Sequence, residues 1–415
     1  MSKRLNILII IPELGQGGAE RAVSKLSLLL EPYHDIYFLQ FNNRANVYYP
    51  MAGELLYLNV LPSNNLFFKV VNVFNRIIKT RKIKIRYKID VSISFLEGAN
   101  YINVLSKKNE KVIISARGSI SQDIEISKFF GWCRKKVLIP TLYKKADKIV
   151  ALSEGLKFEL IEQFGLSQDQ VEVIYNSYDI KYIQKRLKES ISSYPSSIFT
   201  KLTIVTSGRL HPQKSHDQLI KVFSEIKRVS SLNYKLVLFG DGALKHRLIE
   251  LAESLGLKTY NAWSSEQDLC DDSDIYFMGY VKDPFNYISK CGVFAFPSLY
   301  EGLGNSLVEA LACEIPIVAS DCHSGPREVL APSSFQNFNL EKAEYARYGV
   351  LMPQIKDEKT IKEWRVTLCN IMENESIINR YREIGKERIM DFNNSEIATK
   401  WLDVINLIQH TSIDY

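Results

Sequence analysis

The sequence predicts an α/β protein with two doubly wound parallel-sheet domains that face each other across a cleft. Three observations predict this fold class. The chain has 415 residues, which is more than one ordinary hydrophobic core accommodates. Apolar runs of strand length alternate with stretches of helical periodicity, and this alternation stops at a polar segment and then begins again. Strands that alternate with helices form parallel sheets covered by helices on both faces.

The first domain is predicted over residues 1–175. Its first strand is the apolar run 5–11, and a glycine-rich loop at 12–18 leads into a helix at 19–30. The run lacks a small-residue cleavage site, so it is predicted to be a strand and not part of a signal peptide. Further strands are predicted by short apolar runs at 36–41, 55–60, 91–95, 112–115, 148–151 and 171–175.

A polar stretch at 176–201 is predicted to connect the domains, and the second domain is predicted over 202–390. The polar segment 258–274 breaks the alternation and is predicted to be a surface insertion. Residues 391–415 are predicted to hold a C-terminal helix, at 394–409, that packs back on the domains. Strands are predicted at 202–207, 234–239, 275–278, 293–296 and 315–319, and helices at 217–229 and 244–255.

Composition points to a globular protein of the cytoplasm. Hydrophobic residues make up 46% of the chain and charged residues 24%, and no apolar run reaches the roughly 18 residues of a membrane span. The six cysteines are scattered and form no CxxC pair, which predicts reduced thiols and neither a disulfide framework nor a zinc site. Cys322 and His323 beside Asp321 have no second ligand cluster. The acidic run 271–274 is better explained as a solvated turn than as a metal site.

The first domain carries most of the positive charge. Residues 1–175 hold 25 Lys and Arg against 16 Asp and Glu. Basic residues mix with aromatic ones at 79–88, after the apolar stretch 66–78, and at 128–136. Both stretches suit peripheral docking on the inner face of an anionic membrane, and solvated helix faces are the alternative. Nucleic-acid binding is not expected, because no recognised binding module accompanies the charge.

The segment 297–309 carries the strongest chemical signal. It follows a buried apolar run at 293–296 and leads into a helix, so its glycines allow close approach of a ligand and its helix start suits a phosphate. Glu301 and Glu309 bracket the loop, and carboxylates accept hydrogen bonds from sugar hydroxyls. The predicted ligand is therefore both sugar and phosphate, such as a sugar nucleotide. The alternative is an ordinary strand–loop–helix junction with two solvated glutamates.

Four further elements follow predicted strands in the same way. Gly17 and Gly18 end the loop just before the first helix, where free amides suit a phosphate, although the GxGxxG spacing is absent. Arg209 and Lys214, five residues apart, are able to clamp a diphosphate. Gly240 lies in a second glycine turn, and Arg117 ends a first-domain strand, where it is predicted to face the cleft. For each, an ordinary turn glycine or surface cation is the alternative.

Taken in order, these elements resemble the retaining glycosyltransferases of the GT-B fold, specifically glycosyltransferase family 4. The resemblance covers nearly the whole chain. It depends on the ordered set Gly17-Gly18-Ala19-Glu20-Arg21, Ser207-Gly208-Arg209 with Lys214, Gly240-Asp241-Gly242, and the Glu-x7-Glu motif from Glu301 to Glu309. The run 320–328 resembles the branch that adds hexoses or N-acetylhexosamines to bacterial lipopolysaccharide or O-antigen. Many members carry His where this chain has Arg117, so the role of Arg117 stays open.

The resemblance implies a role for each matched position. Arg209 and Lys214 neutralise the donor diphosphate, and Glu301 accepts hydrogen bonds from the donor hexose. Glu309 accepts from the ribose, and Gly17 and Gly18 let the first domain close on the donor. The backbone amides that hold the sugar and phosphate belong to Gly302, Leu303, Gly304 and Asn305.

The expected activity is transfer of a hexose or N-acetylhexosamine from a nucleotide-diphosphate sugar to a lipid-linked bacterial glycan. No cofactor or metal is expected, because fixed cations and helix dipoles stabilise the departing diphosphate. Retention is expected by front-side attack, since no nucleophile stands out in the sequence. A GT-B epimerase, a phosphorylase and a non-catalytic scaffold of a polysaccharide assembly complex are the rival hypotheses.

Overall fold

The computed structural model describes residues 3–15, 17–43, 47–118, 120–121, 128–189, 194–264, 269, 272–322, 324–334 and 340–410. The chain divides into two compact units. The first consists of Met1–Ser177 together with Phe392–Tyr415, and the second of Tyr178–Asp391. The second unit is therefore inserted before the last segment of the first.

Strands and helices alternate through the first unit as the sequence predicts. Within its described residues, seven parallel strands form one sheet in the order β3-β2-β1-β4-β5-β6-β7. A π-helix at Arg134–Leu138 joins α4 to α5. The elements are β1 (Asn6–Ile10), α1 (Gly18–Leu30), β2 (Asp35–Gln40), β3 (Glu54–Tyr57), α2 (Leu66–Arg86), β4 (Val91–Phe95), α3 (Glu97–Leu105), β5 (Lys111–Ala116), α4 (Lys128–Cys133), α5 (Ile139–Leu142), β6 (Lys148–Ala151), α6 (Glu154–Glu162) and β7 (Val171–Val173).

The second unit repeats this alternation. Its described strands form an eight-stranded sheet in the order β10-β11-β9-β8-β12-β13-β15-β14, in which only the β14–β15 pair is antiparallel. The elements are α7 (Ile180–Leu187), β8 (Thr203–Ser207), α8 (His216–Val229), β9 (Lys235–Phe239), α9 (Lys245–Ser254), β10 (Thr259–Asn261), β11 (Ile275–Phe277), α10 (Phe285–Ile288), β12 (Val293–Phe296), α11 (Asn305–Ala312), β13 (Ile317–Ser320), α12 (Pro326–Leu330), β14 (Glu344–Tyr345), β15 (Val350–Met352), α13 (Glu358–Glu373) and α14 (Glu375–Arg388).

The last helix, α15 (Asn394–His410), returns to the first unit. Its apolar face is buried with α1 and the central strands, and the Trp401 ring lies 6.3 Å from that of Phe95. The other face of the same sheet packs against α2 and α3. In the second unit, the fully buried Trp364 anchors α13, and its indole N–H donates to Pro353 O at 2.8 Å.

Two sequence predictions need correction. The segment 258–274 is not only a surface insertion, because Thr259–Asn261 forms the edge strand β10, which pairs in parallel with β11. The segment 176–201 is not only a connection, because it contains α7, whose buried Ile180 and Ile183 belong to the second unit. Both elements are short, with three residues in β10 and eight in α7, and each lies in a stretch whose other residues are mostly polar.

Candidate functional site

The second sheet has one position where the direction of strand order reverses. From β8 the chain proceeds through β9 to β11 on one side, and from β12 it proceeds through β13 to β15 on the other. Ligands of open α/β sheets bind outside the carboxyl ends of the strands at such a reversal. The loops that follow β8 and β12 therefore occupy the expected binding position, and they contain most of the predicted site residues.

An ion pair joins these two loops. Lys214 Nζ lies 2.5 Å from Glu301 Oε1, although the two residues are 87 positions apart in the chain. Both side chains are largely buried, with 14% and 8% of their surface exposed. The ammonium also lies 5.0 Å from the centre of the Phe296 ring. The structure thus brings together a cation and a carboxylate that the sequence predicted for the same donor.

Backbone hydrogen bonds hold the two loops in register. Lys214 ends a short 3₁₀ turn that begins at Pro212. Next to it, the Gln213 carbonyl accepts from Leu299 N at 2.9 Å, and Gln213 Nε2 donates to Tyr300 O at 2.8 Å. The positions of Lys214 and Glu301 are consequently set by main-chain contacts on both sides.

Gly240 packs closely against the loop that follows β8. Its φ is +143°, and a Cβ at this position would lie 1.9 Å from Gly208 O, so only glycine fits. A Cβ on Gly242 would likewise lie 2.5 Å from Leu210 O. These glycines allow the turn after β9 to pack on the loop that carries Arg209 and Lys214.

The loop after β13 packs against the loop that follows β12. Ser324 Oγ donates to Glu301 O, and a Cβ on Gly325, whose φ is +91°, would lie 2.5 Å from Leu303 O. Leu303 is buried as a whole residue. Gly304 has a φ of +90° and begins α11 without a side-chain cap from the described residues. The first amides of α11 therefore lie at the loop that predicted phosphate and sugar binding.

Asn305 and Glu309 lie one turn apart on α11 and share a face of this helix. The hydroxyl of the buried Tyr178 donates to Asn305 Oδ1 at 2.7 Å. Glu309 is half-buried. The pKa of the Cys313 thiol is raised mainly by the burial of that thiol, and the negative charge of Glu309 raises it further. Gly302 is half-buried beside Glu301.

Arg209 lies on the same loop as Lys214 but is exposed. Within the described part of the chain its guanidinium forms no ion pair, in contrast to the ammonium of Lys214. Behind the loop, His216 begins α8 and is buried. Burial and, to a lesser extent, the positive charge of Lys214 lower the pKa of His216 to about 3. The imidazole is therefore neutral at physiological pH.

Three of the predicted site residues, Gly17, Gly18 and Arg117, belong to the first unit. Arg117 follows β5, where its guanidinium stacks 5.3 Å from the Phe95 ring centre and donates to Ser115 Oγ at 3.3 Å and to Asn176 Oδ1. Gly17 precedes α1 and Gly18 is its first residue, so the helix begins one position earlier than predicted. A Cβ on Gly17 would lie 2.1 Å from Glu20 Oε2, so the glutamate carboxylate lies over the helix start.

The sequence analysis assigned no role to Tyr178, Ser324 or Gly325. Gly325-Pro326 ahead of a helix was the available signal, because proline favours the first helical turn and glycine permits the positive φ before it. Tyr178 carried no such signal, since its contact with Asn305 spans 127 positions.

The candidate metal positions do not converge. Within the described residues, no group of three or more His, Cys, Asp or Glu side chains is placed to hold a metal ion. Asp274 pairs with Lys227 at 2.7 Å, and Asp272 pairs with Lys258. Asp321 binds the buried Arg327. His323 and Asp271 lie outside the described residues.

Two family descriptions match this chain. Residues 16–182 match "Glycosyltransferase Family 4", and residues 195–338 match "Glycosyl transferases group 1". Together these matches span most of the sequence. They fall on the two halves that hold the two parallel sheets.

Two Campylobacter jejuni enzymes are similar over most of their length. One is N-acetylgalactosamine-N,N'-diacetylbacillosaminyl-diphospho-undecaprenol 4-alpha-N-acetylgalactosaminyltransferase, 28% identical over 86% of this chain and 92% of its own. The other is GalNAc-alpha-(1->4)-GalNAc-alpha-(1->3)-diNAcBac-PP-undecaprenol alpha-1,4-N-acetyl-D-galactosaminyltransferase, 23% identical over 97% of this chain and 98% of its own.

Among solved structures, Anabaena Alr3699/HepE in complex with UDP and glucose has a similar fold. Its TM-score is 0.69 at 16% sequence identity, and the match covers 97% of this chain and all of that one. At this level of identity the similarity shows the fold alone.

Proposed function

Because this chain belongs to glycosyltransferase family 4 and has the GT-B fold, we propose that it is a retaining transferase that uses a nucleotide-diphosphate sugar. It moves a hexose or N-acetylhexosamine to a lipid-linked glycan of the bacterial surface, such as lipopolysaccharide, O-antigen or capsule. The observation that carries the proposal is the Lys214–Glu301 pair at the reversal point of the second sheet. The acceptor class is supported by the similar enzymes whose names include diphospho-undecaprenol or PP-undecaprenol.

The cation of the pair acts on the leaving group. During transfer the bond between the anomeric carbon and the phosphate oxygen breaks, and negative charge develops on the diphosphate. Lys214 exchanges part of its contact with Glu301 for the diphosphate, and the exposed Arg209 adds a second, planar cation from the same loop. Fixed charges of this kind typically contribute about 2.7–4 kcal/mol each to the transition state.

The carboxylates hold the sugars. Glu301 is buried and anchored through its own carbonyl, so it presents a fixed acceptor to the hydroxyls of the transferred hexose. Glu309, one turn into α11, accepts from the ribose, and the first amides of α11 bind phosphate and sugar oxygens. The acceptor hydroxyl attacks the anomeric carbon from the face of the departing diphosphate and delivers its proton to it. No metal or cofactor takes part.

A product assay with the purified full chain tests this proposal. Nucleotide sugars are first screened for thermal stabilisation, because a ligand that binds only the folded protein raises its melting temperature. The stabilising donor is then incubated with a polyprenyl-diphosphate-linked sugar, with and without EDTA. We expect release of nucleoside diphosphate and a product that keeps the anomeric configuration of the donor by NMR, both unchanged by EDTA.

The rival hypotheses give different results in the same assay. A non-catalytic scaffold releases no nucleoside diphosphate from any donor, and an epimerase converts the donor without using the acceptor. A product whose anomeric configuration is opposite to that of the donor contradicts retention, and loss of activity with EDTA contradicts the metal-independent mechanism. Lys214→Met is the matched inactive variant, and Lys290→Met, an exposed lysine of the same unit, is its control.

A further inference from the structure

Helix α2 packs on the first unit with only one of its faces. Ile77 and Ile83 contact the core between α2 and the sheet. Lys84 is buried on the same side, where its ammonium lies 2.8 Å from Glu110 Oε1 and donates to Asn103 Oδ1 at 2.7 Å. These contacts fix the helix and determine which of its side chains point outward.

The outward face of α2 is apolar over most of its length, and the exposed Arg81, four residues before Ile85, interrupts it. Phe67, Phe74, Ile78 and Ile85 are spaced by 7, 4 and 7 residues, which places them in one line on a helix. They are 70%, 61%, 52% and 51% exposed. We call these four residues the α2 stripe. A surface helix normally exposes polar residues on the face opposite the core, so this stripe marks an interaction site.

The helix is also strongly basic. Residues 66–86 contain seven Lys and Arg and no Asp or Glu. Lys84 is used inside the unit, whereas Lys82 and Arg86 are exposed beside the stripe. Cations that flank an apolar line are complementary to a surface with negative charge outside and hydrocarbon beneath.

The second basic stretch predicted from the sequence is less suited to such a surface. Arg134 is buried and forms an ion pair with Glu97, and Lys135 donates to Ser121 O at 2.8 Å. Among the side chains that the structure describes there, the exposed apolar ones are Trp132, Val137 and Leu138, a shorter set than the α2 stripe. The two charges at 134 and 135 hold the π-helix segment in place, so substituting them would test folding and not docking.

We propose that α2 lies flat on an anionic bilayer with the α2 stripe inserted below the headgroups. This inference deepens the proposed function, on which it rests for the lipid-linked acceptor. The 21 residues of α2 span about 30 Å, and interfacial helices of this kind insert by about 5–10 Å. Exposed Lys and Arg then contact lipid phosphates. No helix in the described part of the chain is long and apolar enough to cross a membrane.

Vesicle sedimentation of the full chain tests the docking, without any nucleotide sugar. Binding is expected to vesicles of phosphatidylcholine with 30% phosphatidylglycerol, and much weaker binding to phosphatidylcholine alone. Phe74→Ser is expected to lower the partition coefficient about tenfold, because a large apolar side chain leaves the hydrocarbon. The matched control is Phe158→Ser on α6, where a phenylalanine is 52% exposed outside the stripe; it should change binding less than twofold.

The charge contribution is measured separately. Lys82→Ser and Arg86→Ser are each expected to weaken binding about fivefold at 0.1 M salt, and the loss should shrink at 0.5 M. Equal effects of Phe74→Ser and Phe158→Ser, or no binding to anionic vesicles, overturn the proposal. Concentration-dependent self-association that Phe74→Ser abolishes, without vesicle binding, identifies a second copy of the chain as the partner instead. Donor binding by thermal shift is followed in parallel, so failure of docking and failure of the transferase proposal remain distinguishable.

Discussion

Replacing Lys214 with methionine tests whether the Lys214–Glu301 contact is a true buried ion pair. Methionine keeps most of the side-chain volume, but it removes the ammonium, which lies 2.5 Å from Glu301 Oε1 and 5.0 Å from the centre of the Phe296 ring. The Glu301 carboxylate is then left 8% exposed without its cation.

The expected cost follows from this geometry. Removing one partner of a fully buried pair costs about 3–5 kcal/mol, and an exposed pair is worth about 0–1 kcal/mol. Since Lys214 is 14% exposed, the lower end of the buried range applies, and we expect Lys214→Met to lower the free energy of unfolding by about 3 kcal/mol. Glu301→Gln should cost a similar amount, and the double variant distinctly less than the sum, with a coupling of about 2 kcal/mol.

Urea unfolding of the four proteins measures these values, and nucleoside diphosphate release with the donor measures activity. Lys214→Met is expected to reduce turnover at least 100-fold, because it removes a cation from the leaving group. If both single variants cost less than 1 kcal/mol and the coupling is near zero, the two side chains do not form the pair. If activity also survives, Lys214 has no role in the chemistry.

Three further predictions concern the supports of the two units. Gly240→Ala should lower the free energy of unfolding by about 3 kcal/mol, because its Cβ meets a carbonyl, whereas Gly256→Ala, with a φ of +76° but open space, should cost only about 1 kcal/mol in urea unfolding. Burial lowers the pKa of His216 to about 3 in the folded protein, whereas the unfolded imidazole protonates near pH 6.5, so stability is lost as pH falls through this window. Between pH 7 and pH 5 this loss amounts to about 2 kcal/mol, which should disappear in His216→Leu when urea unfolding is measured at both pH values. Trp401→Ala should destabilise the first unit by about 3–5 kcal/mol in thermal unfolding, and Leu407→Ala, at an exposed position of α15, by less than 1 kcal/mol.

The sequence alone determined the fold class and the positions of most strands. Buried parallel strands are continuous apolar runs, so β4, β6 and β12 were predicted with their observed ends. Gly17 and Gly304 could also be identified from the sequence, because a glycine before a helix is a local signal. The family, too, could be recognised from short motifs in a fixed order.

Only the tertiary structure decided which of these residues act together. The contact of Lys214 with Glu301 spans 87 positions, and that of Tyr178 with Asn305 spans 127, and no local pattern encodes such distances. The structure also showed that Gly240 packs closely on Gly208 of a neighbouring loop, whereas contact of Gly240 with the donor stays a prediction. Apolar periodicity reports that a helix has a hydrophobic face, but only the packing of its neighbours decides whether that face is buried. For that reason the sequence left membrane docking by the two basic-aromatic stretches and solvated helix faces as alternatives, and the exposed α2 stripe is the observation on which the docking proposal rests.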